Sequence, residues 1–454
     1  MNLMNITKRA FIKASAAAAV TFPLAQSVLA ASPSPSITSS PRDKSFLKNL
    51  TRDSQAISKN ERLGRIKKAQ QLMRQFNIAA MVLEPGATMD YFSGIQWWRS
   101  ERLTAVVIPR EGDIAVLCPF FEQPSIRESL KVGDDVRVWQ EHESPFLLIQ
   151  QILKDRGIQK GQLAFEQSVR YFVLQGVMAL MSNMQHTSAD PITQGCRMIK
   201  SPHEIALMHK ANEITLAAYA HVHANLAIGM SQQDVNQLMN SAQAQLGGTS
   251  IWTMALFNEA SAYPHGSKQA QTIQAGSTVL MDCGCAVHGY QSDISRTFVF
   301  GEPSKKQLKI WQTVRQGQQI AFEKAQLGTP AGAVDDAVRA YYQTQGLGPD
   351  YQLPGLSHRT GHGIGMEGHE PVNFVHNEAT QLQVGMCFSD EPGIYIPEEF
   401  GVRLEDCIYM TKEGPHWFTT PPDNLESPIG RLSPLDSNLS ALLPSLLSTK
   451  EETI

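Results

Sequence analysis

At 454 residues with 42% apolar side chains, the chain is long enough to form two domains, each with a core of its own. Its formal charge of −4, from 39 basic and 43 acidic residues without a long basic tract, excludes a protein that grips nucleic-acid phosphates and favours one acting on small molecules. Beyond the N-terminus no segment is apolar over the length a bilayer crossing requires.

Residues 1–30 read as a bacterial export signal. Lys8, Arg9 and Lys13 form a basic start, an alanine-rich apolar run follows, and Val28-Leu29-Ala30 has the form of a cleavage site. The segment resembles a twin-arginine signal with Lys8 in place of the first arginine, and the general secretory route stays open. Either route leads to a periplasmic or secreted protein. Residues 31–58 form a Ser/Pro-rich linker and N-terminal extension.

From 59 to 196 helical and strand-like patterns mix, which predicts an α/β domain. Leu63, Ile66, Met73 and Phe76 make a helical stripe that ends near Asn77. Strands are expected at 79–83, 103–108, 114–118 and 163–166, with a helix opening at Ser144-Pro145. The domain carries no catalytic constellation. Trp97, Trp98, Arg99 and Arg102 read as ordinary core and surface residues, with a pocket-wall or interface role as the alternative.

The second domain, 197–425, opens on Ser201-Pro202-His203-Glu204, a capping box with proline at the first helical position. Helices are predicted from there to about 227 and from Ser231 to about 246, then again from about 304 to 327 and from about 332 to 345. Each helix pair precedes a hairpin. Between the first pair and its hairpin lies His265, in Ala-Tyr-Pro-His-Gly-Ser.

In the first hairpin, residues 278–300, two β-prone runs flank His288-Gly289. A two-residue turn there places Asp282 and Asp293 on one face, whereas a three-residue turn without a bulge separates them. The second hairpin, residues 386–410, is expected to repeat this architecture with Glu391 and Glu405. Ahead of it, Leu356-Ser-His358-Arg-Thr-Gly-His362-Gly-Ile-Gly-Met-Glu-Gly-His369-Glu-Pro371 packs three histidines among glycines. Two matching helix-helix-hairpin units facing each other would bring distant acids together. The tail, 426–454, is expected to form a short helix near 438–447 or to stay mobile.

Leu280, Met281, Phe388 and Leu404 mark both hairpins as buried, and buried carboxylates must be neutralised, hydrogen-bonded or metal-bound. Any one of these acids alone is better read as a solvated strand residue. Asp282, Asp293, His362, Glu391 and Glu405 together are better read as oxygen ligands and one imidazole around a pair of divalent cations, which suits manganese, iron, cobalt or zinc. The six cysteines lack zinc-type spacing and read as small packing residues, with Cys283 and Cys285 on the strand face opposite Asp282.

These segments resemble the pita-bread metallopeptidase family, M24-type, which includes methionine aminopeptidase, aminopeptidase P, prolidase and the metal-free creatinase. The likeness spans roughly residues 60 to 420. His-Arg-Thr-Gly-His-Gly-Ile-Gly, Glu-Pro-Gly-Ile-Tyr-Ile and Gly-Val-Arg-Leu-Glu-Asp are closest to the Xaa-Pro aminopeptidase and Xaa-Pro dipeptidase branch. The resemblance implies a creatinase-like N-terminal domain followed by a pita-bread catalytic domain with internal pseudo-twofold symmetry, in the α/β (α+β) class. It makes Asp282 a ligand of one metal, His362 and Glu391 ligands of the other, and Asp293 and Glu405 bridges. Water held between the ions is then the nucleophile and Glu391 the general base. His265 and His369 match donors to the scissile carbonyl, and His358 matches a substrate-pocket position. Tyr395 and Arg403 resemble residues that orient the carboxylates.

The implied function is an exported exopeptidase that hydrolyses the bond between an N-terminal residue and proline, with two divalent ions (manganese first; zinc, cobalt or iron as alternatives), a small peptide substrate and a homodimeric assembly. Intact ligands set the chain apart from creatinase. Val372, where a second proline is common, and Asp390, where an apolar residue is common, are departures that bear on the substrate more than on the metals. A hydrolase or lyase acting on a small non-peptide substrate, and a non-catalytic binding protein, are the alternative readings.

Overall fold

The computed structural model describes residues 47–439. The expected export segment, most of the linker at 31–58, and all but the first two residues of the helix expected near 438–447 lie outside the described residues.

The N-terminal domain begins with α1 (Lys59–Gln75), where Ser58 and Glu61 each bind the other's backbone N–H in a capping box. Its buried face differs from the expected stripe. Ile66, Ala69 and Met73 are buried as an apolar face should be, but Leu63 and Phe76 are exposed and Arg62 and Arg65 lie inside. Remote partners make this stable. Arg62 pairs with Asp90 at 3.1 Å, and Arg65 bonds Glu204 at 3.0 Å and the Tyr290 hydroxyl at 2.6 Å while stacking on the Tyr91 ring.

After α1 come β1 (Ile78–Leu83), α2 (Ala87–Ser93), β2 (Ala105–Pro109), β3 (Ala115–Pro119), α3 (Gln123–Ser129), β4 (Asp135–Trp139), α4 (Pro145–Asp155), β5 (Gly161–Phe165), α5 (Tyr171–Met178), β6 (Met184–Ser188) and α6 (Asp190–Arg197). The strands form one mixed sheet in the order β4-β3-β2-β1-β5-β6. Both faces are covered, so the central strands are apolar throughout rather than alternating. Ala80 and Val82 join the cluster under α4 and α5, whereas Met81 and Leu83 join a core continuous with the second domain.

That domain opens with α7 (Pro202–Asn225) and α8 (Gln232–Leu246), capped by Ser201 and Ser231. Then follow β7 (Thr249–Phe257), β8 (Ser277–Val287), β9 (Tyr290–Gln291) and β10 (Ile294–Phe300). The order repeats with α9 (Lys305–Lys324), α10 (Gly332–Thr344), β11 (Gly361–Gly363), β12 (Glu370–Phe374), β13 (Cys387–Asp390), β14 (Gly393–Ile396), β15 (Phe400–Arg403), β16 (Asp406–Thr411) and β17 (Gly414–Trp417). All four helices stand within a few residues of their expected positions. Among the described residues no helix is long and apolar enough to cross a membrane.

The two hairpins are not built alike. In the first, Val287 opposes Tyr290 and Asp282 opposes Ser295, so His288-Gly289 is a two-residue turn, with φ +49 and +87, and Asp282 and Asp293 share a face. In the second, Ile396 opposes Phe400 across a three-residue turn, and Asp390 opposes Asp406. By that register Glu391 and Glu405 face each other directly, at a gap in the ladder. The Glu391 N–H donates to the Thr360 carbonyl at 2.8 Å and the Glu405 N–H to the Ser295 carbonyl at 3.1 Å, so both acids are held by neighbouring strands instead of by each other.

The halves are joined by Arg296 of β10, which grips Asp406 of β16 at 2.7 and 3.1 Å with both side chains fully buried. Arg296→Met is expected to lower stability by roughly 3–5 kcal/mol, because Asp406 would stay buried without its cation. Urea unfolding checks this, and a loss under about 1 kcal/mol would mean that Thr419 and Gln318 suffice for Asp406. Asp390, opposite Asp406, is buried with neither carboxylate oxygen bonded; burial, and then Asp406, raise its pKa and favour the neutral acid.

All six cysteines are buried and unpaired, as expected of packing residues.

Candidate metal centre

The five predicted ligands converge. One ligand atom from each of Asp282, Asp293 and Glu405 lies within 4.8 Å of the others, and so do those of His362, Glu391 and Glu405. Glu405 belongs to both groups. Asp293 also meets His362 and His369 within the same distance.

Three carboxylate oxygens, Asp282 Oδ1, Asp293 Oδ1 and Glu405 Oε1, are buried with no hydrogen-bond partner among the described residues. An ionised oxygen left unpaired in a low-dielectric interior is costly, and a cation, a proton or a hydrogen-bond donor is needed to remove that cost. Burial and the neighbouring acids raise the pKa of Asp293 and of Glu405. Burial also pushes Glu391 upward, but His362, His358 and Arg403 outweigh it and hold the carboxyl at about 2. His362 Nδ1 faces the Gly363 carbonyl at 3.1 Å, which assigns the ring proton to Nδ1. In the neutral ring Nε2 then presents a lone pair toward Glu391 Oε1 at 3.2 Å and Asp293 Oδ2 at 3.7 Å, whereas the protonated ring donates to Glu391 and lowers its pKa. Facing acceptors of this kind suit divalent cations between them, so the residues present fit the metals.

Serines and Arg403 brace the acids. Ser389 accepts the His362 N–H at 3.0 Å, and Ser295 donates to Glu405 at 2.6 Å while accepting from Arg403 Nε at 2.9 Å. Arg403 also reaches Asp282 and, at 3.1 Å, the Tyr395 hydroxyl. Tyr395, its pKa pushed up to about 12 by burial, in turn meets His358 Nε2 at 2.7 Å. His358 Nδ1 faces the Arg359 carbonyl at 2.7 Å, and burial holds this imidazole neutral, down to about 4. His358 borders the cavity with both ring nitrogens engaged.

The cavity over the acids measures about 600 Å³ and is lined by His265, His358 and His369 among others. His265 and His369 are exposed to it and make no hydrogen bond among the described residues, which leaves their N–H groups for a ligand. The His369 ring stands edge-on to His362, centroids 4.1 Å apart, and burial followed by that neighbour holds its pKa down to about 4.

Trp252, Met254 and Arg359 are among the lining residues that sequence reasoning did not single out. Trp252 and Met254 arrive on β7, a strand whose mixed Ser/Thr/Trp start hid its pairing with β8. Arg359 lies inside the histidine motif, where a cation beside the ligand-type histidine was the available signal; among the described residues it has no ion-pair partner. Trp97 and Trp98, stacked with centroids 4.4 Å apart, border a different cavity beside His288, Gly289 and Met366.

Comparison with known proteins agrees with this architecture. Metallopeptidase family M24 matches residues 206–412, and the creatinase/prolidase N-terminal domain matches residues 65–199. The putative dipeptidase YkvY of Bacillus subtilis is 31% identical over 366 residues, covering 80% of this chain and 99% of that protein. The Xaa-Pro dipeptidase of Lactobacillus helveticus is 31% identical over 359 residues, covering 78% and 95%. The crystal structure of dipeptidase PepE from Mycobacterium ulcerans superposes with a TM-score of 0.75 at 29% identity, over 82% of this chain and 99% of that one. Converging acids, matched domains in the same order and relatives aligned over nearly their whole length lead to one conclusion: the chain belongs to metallopeptidase family M24, with a creatinase/prolidase N-terminal domain preceding the catalytic domain.

Proposed function

We propose that this enzyme is an exported Xaa-Pro dipeptidase that works with two divalent cations, manganese foremost. The carrying observation is the pair of ligand groups that share Glu405 beneath a cavity of dipeptide size. Asp282 would hold one cation, His362 and Glu391 the other, and Asp293 and Glu405 would be shared between them. Bound there, such ions supply an acidified water and polarise the scissile carbonyl.

The chain's own residues do the rest. Glu391 takes the proton released on attack and returns it to the departing proline nitrogen. His265 and His369 donate N–H bonds to the carbonyl oxygen as it gains charge. Proline lacks an amide hydrogen and has a fixed φ, and none of these contacts asks for that hydrogen. Arg359, a cation on the cavity wall without a counter-ion among the described residues, suits the free carboxylate of a dipeptide. Two of the relatives are a putative dipeptidase and an Xaa-Pro dipeptidase, which supports that size preference. Export rests on the basic-apolar-cleavage pattern of residues 1–30, and unpaired thiols suit a twin-arginine route that carries folded cargo. Trp98, exposed and stacked on Trp97, suits a homodimer contact.

Manganese-loaded protein is expected to release proline from Xaa-Pro dipeptides, to act more slowly on Xaa-Pro-Yaa and least on Xaa-Ala. Arg359→Gln should raise KM for Xaa-Pro about tenfold, the loss of a charge-assisted contact, and leave Xaa-Pro amides unaffected. Equal rates on Xaa-Pro and Xaa-Ala would sink the proline assignment.

A further inference from the structure

His369 has no hydrogen bond of its own among the described residues, so its aim into the cavity is decided by the backbone that carries it. That backbone is wrapped around the next side chain, Glu370. The N–H groups of Met366 and Glu367 donate to Glu370 Oε1 at 2.9 and 3.2 Å. Gly365 sits so close that a Cβ there would lie 2.7 and 2.8 Å from the two carboxylate oxygens and would push the carboxylate off its partners. Glu370 is buried, and two cations neutralise it: Lys200 Nζ at 3.0 Å and Arg197 Nη2 at 2.5 Å. The same guanidinium reaches Glu367 and the Thr88 hydroxyl, each at 2.7 Å. Arg197 is the last residue of α6, one residue past the boundary expected from the sequence but inside the N-terminal-domain match at 65–199, and Thr88 lies in α2 of the same domain.

We propose that Arg197, acting through Glu370 and the loop folded round it, is a positioning residue for His369, so that the N-terminal domain sets the placement of a catalytic donor in the other domain. The inference rests on the role given to His369 above. Displacing a catalytic group by about 1 Å can cost on the order of a hundredfold in rate, so a modest relaxation of this loop is enough to be measured. The carboxylate is buried and the Arg197 side chain is only about 10% exposed, so solvent screens the pair weakly, and neither pairs with the five ligand-type side chains.

The test is a double-mutant cycle on the full-length, manganese-loaded protein with an Xaa-Pro dipeptide, following kcat, KM, bound manganese and melting temperature. Arg197→Met should lower kcat about tenfold with bound manganese unchanged, and Arg197→Lys should recover part of the loss. In a His369→Ala background Arg197→Met should cost less than about twofold more, because the group it positions is gone. Glu370→Gln should behave alike; if that variant does not fold, Arg197→Met, which leaves Lys200 on Glu370, carries the test alone. An equal fold-loss in both backgrounds, or an unchanged kcat in Arg197→Met, overturns the inference. A near-normal rate in His369→Ala alone overturns the role of His369 first, and the positioning inference with it.

Discussion

Asp293→Ala and Glu405→Ala are each expected to abolish manganese retention and turnover together. Each removes a carboxylate that stands in more than one of the ligand groups, so neither cation keeps a complete set of hard oxygen donors. The metal-free proteins should tell the complementary story. Buried acids repel one another there, and removing one relieves repulsion, so the apo variants should be at least as stable as apo wild type. What they should lose is the gain on adding metal, about 2.7 kcal/mol for a ligand at a hundredfold its Kd. Metal analysis of dialysed protein and thermal unfolding with and without manganese check both halves. Two retained cations and full rate in either variant would refute the shared-ligand arrangement.

His369→Ala should keep its metal and slow kcat by roughly a hundredfold or more, the range seen when a donor to a developing oxyanion is lost. The geometry separates this from a folding defect. His369 is exposed at the cavity and bonds nothing else among the described residues, so its removal strands no buried partner and should shift stability by no more than about 0.5 kcal/mol. His358→Ala makes the opposite case: its ring is tied to Tyr395 and to the Arg359 carbonyl, and its loss leaves buried polar atoms unmatched. A His369→Ala enzyme with near-normal kcat, measured at saturating dipeptide, would take this histidine out of the chemistry.

What could be read from the residues alone was what local physics decides. Ser201 with Glu204, and Ser231 and Ser304 at their helix starts, announce helices that fold by their own first turns. His288-Gly289 declares a two-residue turn because both positions accept positive φ, and that turn alone puts Asp282 and Asp293 side by side. The second hairpin departs from the first, since a three-residue turn centred on Glu398 sets a register that puts Glu391 directly opposite Glu405, while Thr360 and Ser295, which local sequence does not reveal, hold their backbone N–H groups. The stripe of α1 misled for the same kind of reason. Arg62 and Arg65 look like solvent residues until Asp90, Glu204 and Tyr290 are known to wait for them. Arg359 and Glu370 were visible as letters of a motif, but their neighbours come from other elements, so nothing local marked the one as a cavity wall and the other as the hub of a loop.

The sealed thiols carry a consequence for the life of the enzyme. No sulfur among the six is offered to an oxidant while the fold is closed, so chemical ageing at cysteine waits on local or global opening and proceeds no faster than those openings permit. A tightly bound cofactor that deepens the native well would therefore also act as an antioxidant, at a distance and without touching a single sulfur atom.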